Sequence, residues 1–203
     1  MSILEAGFPA IWRAVSEQIS LAAQGRGHPW HLMNLATISP DGFPEARTVV
    51  LREFEQDKPA LWFHSDARSP KVLGLEISDG DVELMVYDPK QRRQLRCRGK
   101  AILHHADNRA RMRWDASKDS SRRCYMAGTG PSERVESRDS TLPAAVTHKV
   151  PTHAEAEPGF LHFTAVECRI NYIDVLQLNA LGGERCKLHF QQGELEKGEW
   201  LAP

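Results

Sequence analysis

Cysteine is scarce: Cys97, Cys124, Cys168 and Cys186 are the only four, and no two of them form a C-x-x-C pair. That spacing excludes a zinc ribbon and a thioredoxin-type redox motif, and it leaves reduced thiols as the simplest state. No apolar run approaches the roughly 18 residues of a membrane span, and no basic stretch followed by an apolar block opens the chain. The expectation is a cytoplasmic protein with no membrane partner. Neither sign of charge is in excess, since 26 Lys and Arg stand against 27 Asp and Glu, which argues against a general polyanion binder. The glycine-rich phosphate loops G-x-G-x-x-G and G-x-x-x-x-G-K-[ST] are both missing, so a nucleotide would have to be held another way. Hydrolytic triads and paired acid and base carboxylates are equally absent.

What remains is an ordinary globular composition, 203 residues with 41% apolar and 26% charged, long enough to bury a core without staples. A single domain over 1–203 is expected. Phe8, Ile11, Trp12, Val15 and Ile19 recur at three- and four-residue spacing, which predicts an amphipathic helix within 1–27, ended by Gly25, Gly27 and Pro29. From His31 the texture changes to short apolar runs. Leu32 to Ile38 and Arg47 to Arg52 flank Ser39-Pro40-Asp41-Gly42, whose Pro and Gly positions fit a type I turn, so the two runs read as a hairpin. Ala60 to Ser65 reads as a third strand, buried on both faces. Ser69-Pro70-Lys71 predicts a helix start, with Ser as N-cap and Pro at the first helical position, and Asp79-Gly80 stops it. Val82, Leu84 and Val86, then Leu95, Cys97, Gly99 and Ala101, alternate with polar residues as strands with one wet face do. Asp107 to about Trp114 predicts a helix, and 128–159 is a polar excursion or lid. Strand texture returns at 160–170, 172–178 and 184–190. Five to seven strands in meander order, with helices that do not alternate with them, predict a mainly β, α+β antiparallel barrel rather than a doubly wound sheet.

The stretch richest in chemistry is Arg47 to Arg52, then His64-Ser65, then Arg68-Ser69-Pro70-Lys71. A helix N-terminus offers free N–H groups and partial positive charge, and Arg68, Lys71 and the Ser65 and Ser69 hydroxyls crowd around this one. Arg47 on a neighbouring strand could complete a phosphate cradle, because a guanidinium matches two phosphate oxygens. The plain alternative is that Arg68 and Lys71 are solvated charges beside an ordinary cap. Arg92, Arg93, Arg96, Arg98 and Lys100 form a basic patch, but no aromatics interleave with it, so no nucleic-acid partner is expected. His104, His105 and His162 are not spaced as ligands, and no metal is expected. Cys124 reads as an ordinary thiol, with a lowered pKa beside Arg122 and Arg123 as the alternative.

Arg47 to Arg52, the strand ending in His64-Ser65, the Ser69-Pro70-Lys71 helix start and Arg93-Gln94-Leu95 together resemble the core of the pyridoxamine 5'-phosphate oxidase-like family of FMN-binding split barrels. The resemblance is good over 28–105 and looser from Phe160 onward. It implies an antiparallel FMN-binding split β-barrel, FMN as cofactor, and a flavin at a homodimer interface. On matching positions it implies that Arg47 and Lys71 hold the FMN phosphate with Ser65 and Ser69 beside them. The run Thr48, Val49, Val50 and Leu51 would lie under the flavin, Arg52 at its end and His64 would be part of the site, and Gln94 would meet the polar edge of the ring. The family's usual arginine before the helix lysine is here Pro70, with Arg68 as a substitute. Trp62 and Tyr87 would be barrel surface shielded by the dimer. True pyridoxamine phosphate oxidases also carry a strand-end lysine, where this chain has Arg52. Their helix carries a Tyr, Arg and Ser set, which the stretch around Arg109, Arg111, Arg113 and Trp114 does not reproduce. They end in an Arg-x-His segment, here replaced by Gly182 to Lys187, from which Arg185 or Lys187 could reach FMN. The implied activity is therefore an FMN-dependent oxidoreductase of unspecified small-molecule substrate, with electrons drawn from an amine or a reduced nicotinamide. A non-catalytic flavin carrier or sensor, or a split barrel binding another ligand such as haem, are the alternatives.

Overall fold

The computed structural model describes residues 4, 6–25, 27–138, 141–180 and 182–203. Helix α1 (Phe8–Gln24) forms where its periodicity predicts, burying Ile11, Val15, Ile19 and Ala22 along one face. Strands β1 (Leu32–Ile38) and β2 (Pro44–Val50) pair as the expected hairpin. Its turn closes through Gly42 N–H donating to the Ser39 carbonyl at 2.9 Å, with Gly42 at φ +87°, which costs glycine little for want of a Cβ. Then follow β3 (Glu53–Glu55), β4 (Ala60–Asp66) and α2 (Pro70–Ile77), the last stopped by Asp79 and Gly80 at positive φ. Strand β5 (Asp81–Asp88) alternates buried and open positions as its period of two requires, and β6 (Arg93–His105) does so as far as Gly99, beyond which four successive residues are half-buried. Helix α3 (Asn108–Ala116) starts on Asp107, whose carboxylate accepts the Ala110 N–H at 2.8 Å. The remaining elements are α4 (Asp119–Arg122), α5 (His153–Ala156), β7 (Phe163–Asn179), β8 (Gly182–Gln191) and β9 (Glu194–Leu201). In the polar excursion the described residues form short helical turns and no strand.

Every pairing is antiparallel, in the order β2-β1-β5-β6-β7-β4-β3, with β8 joined to β7 and β9 to β8. This corrects the expected meander, because β1 pairs with β5 and β4 with β7 across intervening chain. It also corrects the strand count. The two strands expected at 160–170 and 172–178 are one strand, β7, whose one edge lies along β6. Its other edge serves β4 over 163–169 and β8 over 172–179, so the sheet divides there into two directions and the barrel is split. Opposite the division the β6–β7 register slips between Arg98 and Gly99. A Cβ on Gly99 would lie 1.7 Å from the Arg169 carbonyl oxygen, so only glycine lets the two long strands cross this closely.

The main core fills the barrel with Leu35, Leu84, Leu95, Cys97, Val166, Ile173 and Leu188, and α1 closes it with Ile11, Val15 and Ile19. A second cluster lies under α3, where Trp62, Trp114, Tyr125 and Phe163 pack together. Trp62 is fully buried in it, which corrects the expectation of Trp62 as a dimer-facing surface; Tyr87 does stay 45% exposed.

Candidate functional site

Because successive strand residues face opposite ways, His64 and Ser65 of β4 serve different sites. Ser65 joins the start of α2. Lys71 Nζ donates to Ser65 Oγ at 3.0 Å and to Ser69 Oγ at 3.1 Å, and the two hydroxyls are 3.0 Å apart. Ser69 occupies the N-cap position, but its side chain makes no capping bond; it is turned to this cluster instead. Burial pushes the Lys71 ammonium below its ordinary pKa, and the charge of Arg47 pushes the same way. Among the described residues Lys71 forms no ion pair. Arg47 is anchored by Thr37 Oγ1 at 2.6 Å and by the Glu45 carboxylate at 2.5 Å. Glu45, Arg47, Ser69 and Lys71 line an open cleft of about 490 Å³ whose far wall is Pro131 and Ser132.

Two cations held against their mutual repulsion, two hydroxyls and a helix start make a cleft that an anion would complete. These residues fit a phosphate monoester. The cleft opens beside β2, which lies at the end of the strand order and so has an unpaired backbone edge. Thr48 is exposed and pairs with Asn34, Val49 points into the core, and Leu51 N–H donates to the His31 carbonyl at 2.9 Å.

Arg68 is not on this cleft. Its guanidinium pairs with Asp66 at 2.7 Å and donates to the Ala127 carbonyl at 3.1 Å, so the structure puts the expected substitute phosphate ligand to another use. Gln94 lies across the sheet in a row with Tyr87 on β5, Leu176 on β7 and Arg185 on β8. Arg185 is tied to Asp174 at 2.8 Å, as is Arg96, and these two cations hold the buried Asp174 carboxyl below the usual range despite its burial.

A second cleft, of about 310 Å³, lies at the other end of the 47–52 run, with Arg52, His64, Arg113 and Ser117 among its lining residues. Arg113 stacks its guanidinium over the Trp62 ring, 3.2 Å from the centroid, and pairs with Glu53 at 2.9 Å. Its buried Nε has no partner. Burial, reinforced by the charges of Arg52 and Arg113, pushes His64 down to about 3, so this imidazole is neutral at pH 7. The buried Arg122 fixes the end of α3, donating to the Trp114 and Asp115 carbonyls at 2.7 and 2.8 Å and to Ser117 Oγ at 3.2 Å. The stretch around Arg109, Arg111, Arg113 and Trp114 lines this cleft through Arg113 alone, with no tyrosine. The structure nonetheless brings Arg113 and Ser117 to one cleft with Arg52; their four-residue spacing was the available signal. Cys124 is exposed at one edge and its thiol donates to the Ser121 carbonyl; the surrounding protein desolvates it and raises its pKa instead of lowering it.

The chain is thus a split antiparallel barrel with an anion cleft at its short helix. Residues 9–105 match the family described as "Pyridoxamine 5'-phosphate oxidase, FMN-binding domain". A pyridoxine/pyridoxamine 5'-phosphate oxidase of Brucella canis is 33% identical over 89 residues, covering 43% of this chain and 42% of the relative, so the chain spans under half the length of that relative. A pyridoxamine 5'-phosphate oxidase-related, FMN-binding protein of Nostoc punctiforme superposes with TM-score 0.74 at 24% identity, over 95% of this chain and 97% of that one. PhzG of Burkholderia lata, solved with tetrahydrophenazine-1-carboxylic acid, superposes with TM-score 0.67 at 16% identity, over 95% and 89%. Residues 9–105 thus resemble the FMN-binding domain of the pyridoxamine 5'-phosphate oxidase family, and the chain shares the split-barrel fold of its solved neighbours.

Proposed function

We propose that the protein is an FMN-dependent oxidoreductase acting on a small anionic molecule, that it works as a cytoplasmic homodimer, and that 1–203 acts as one domain. The observation that carries this reading is the pair of cationic clefts at the two ends of one extended run, Arg47 at one end and Arg52 at the other. Five residues of extended chain separate them by roughly 16 Å, enough to keep two anionic groups apart with a floor between them.

The flavin, when bound, supplies the two-electron redox chemistry. Arg47, Lys71, Ser65 and Ser69 would hold its phosphate, and the unpaired edge of β2, from Thr48 through Val50, would offer it backbone groups. Gln94, on the outer sheet face, would supply a hydrogen bond to its polar edge. Arg52 and Arg113 bind the anionic group of the substrate, Ser117 adds a hydroxyl, and neutral His64 accepts or donates a hydrogen bond without adding a third charge. Trp62 holds Arg113 in place from behind through its ring face. No side chain acts as nucleophile or base.

Purified protein should show a flavin absorbance that bleaches anaerobically with an amine or a reduced nicotinamide, and an Arg113→Met variant should raise the KM of the accepted anionic substrate with kcat little changed. Flavin bound but inert to every donor would favour a carrier, and a Soret band in its place would sink the assignment.

A further inference from the structure

The turn that builds the anion cleft also holds a second segment against it. Arg68 Nε and a terminal nitrogen lie 3.0 and 2.7 Å from the two oxygens of Asp66, which is itself buried between β4 and α2. The same guanidinium donates twice to the Ala127 carbonyl at 3.1 Å and once to that of Gly128 at 3.4 Å. Gly128 N–H in turn donates to the Thr141 carbonyl at 2.9 Å, closing the base of the excursion. Gly130 is buried against the stem of Arg68, where an added Cβ would come within 3.1 Å of Arg68 Cβ. Immediately beyond, Pro131 and Ser132 reach the cleft that Arg47 and Lys71 line. Ser132 sits at φ +69°, a left-handed conformation that a non-glycine residue keeps only where its surroundings hold it.

We propose that residues 127–133 form a strap, pinned by Arg68 and Asp66, that closes the outer side of the phosphate cleft and sets how fast a bound flavin mononucleotide leaves. This rests on the reading of that cleft as the FMN phosphate site. A cation whose donors are spent on Asp66 and two carbonyls acts on the phosphate through the segment it holds. Arg68 is therefore a positioning residue.

The test is stopped-flow flavin fluorescence with apoprotein and FMN. Gly130→Ala removes no cation; its Cβ would meet the Glu133 carboxylate at 2.6 Å and the Arg68 Cβ at 3.1 Å, so it loosens the strap where it is pinned. It should speed FMN release about tenfold, the equivalent of one or two net hydrogen bonds, without slowing association. Arg68→Ala should act in the same direction, with its fold checked by far-UV circular dichroism. Trypsin supplies an independent readout, since Arg134 and Arg138 are exposed just beyond the strap. FMN should slow cleavage there in the wild type and not in either variant, and riboflavin, which lacks the phosphate, should not protect. Unchanged release in Gly130→Ala, or slower association in Arg68→Ala with an unaltered trypsin pattern, would overturn the strap, the latter by making Arg68 a direct phosphate ligand. Wild-type protein that takes up riboflavin as tightly as FMN would instead overturn the assignment of the cleft, a failure recognisable before any variant is made.

Discussion

At the scale of single residues, two titratable groups that the fold buries lose their stabilising contribution as pH falls, each in its own window. His64 has its folded pKa lowered to about 3, so between that value and its ordinary 6.5 the unfolded chain binds the extra proton. Stability from this group is therefore fully present above about 6.5 and is lost as pH falls toward 3. A His64→Gln variant should show a flatter decline of unfolding free energy from pH 6.5 to about 4 than the wild type, as read by urea melts; parallel declines would refute the burial effect. Asp174 acts in the same direction in a lower window: it is a carboxylate held low by Arg96 and Arg185, whose contribution is full above its ordinary value of 3.8 and is lost as pH falls below it. Asp174→Asn strands two cations and should cost about 3 kcal/mol at pH 7. The residues that sequence misplaced are of this kind. Arg68 stands in a motif that reads as a phosphate cradle, and Ser69 does line it, yet Arg68 answers to Asp66, a buried acid two positions away whose orientation no periodicity reports.

Among the elements, those whose identity is local were legible. Helix α1 shows itself by its apolar stripe, α2 by its Pro70 start, and β5 by strict alternation. Strand β9 escaped notice because Glu194 to Leu201 is charged and largely open, with no buried face to set a period. β3 is too short to show one. The long β7 read as two strands because its edge changes partner, a fact settled by contacts far away in sequence. Gly99 sits at that junction, and Gly99→Ala should destabilise by about 3 kcal/mol, since a Cβ there meets backbone and not a movable side chain. Thermal denaturation of the variant measures it, and a loss within about 0.5 kcal/mol would show that the crossing can relax.

At the scale of the whole molecule, the described chain keeps an outer sheet face on which Leu32 is 56% and Tyr87 45% exposed, beside Gln94. In the proposed homodimer this face is covered, so a Leu32→Asp plus Tyr87→Asp variant should sediment as a monomer and lose flavin affinity together with assembly. A variant that stays dimeric with flavin bound would put the interface elsewhere. The proposed division of labour between two clefts also belongs to this scale: the sequence motif marked the Arg47 end, whereas the Arg52 end needed Arg113 of α3 and Ser117 at its C-terminal cap, more than fifty residues away.

The measurement that bears most directly on the central claim is a fluorescence titration of FMN and of riboflavin into wild-type protein and into an Arg47→Ala plus Lys71→Ala variant. The account predicts that the wild type prefers FMN by at least about a hundredfold, roughly 3 kcal/mol of charge-assisted contacts, and that the variant binds the two flavins alike. A variant that still discriminates in favour of the phosphate would contradict it.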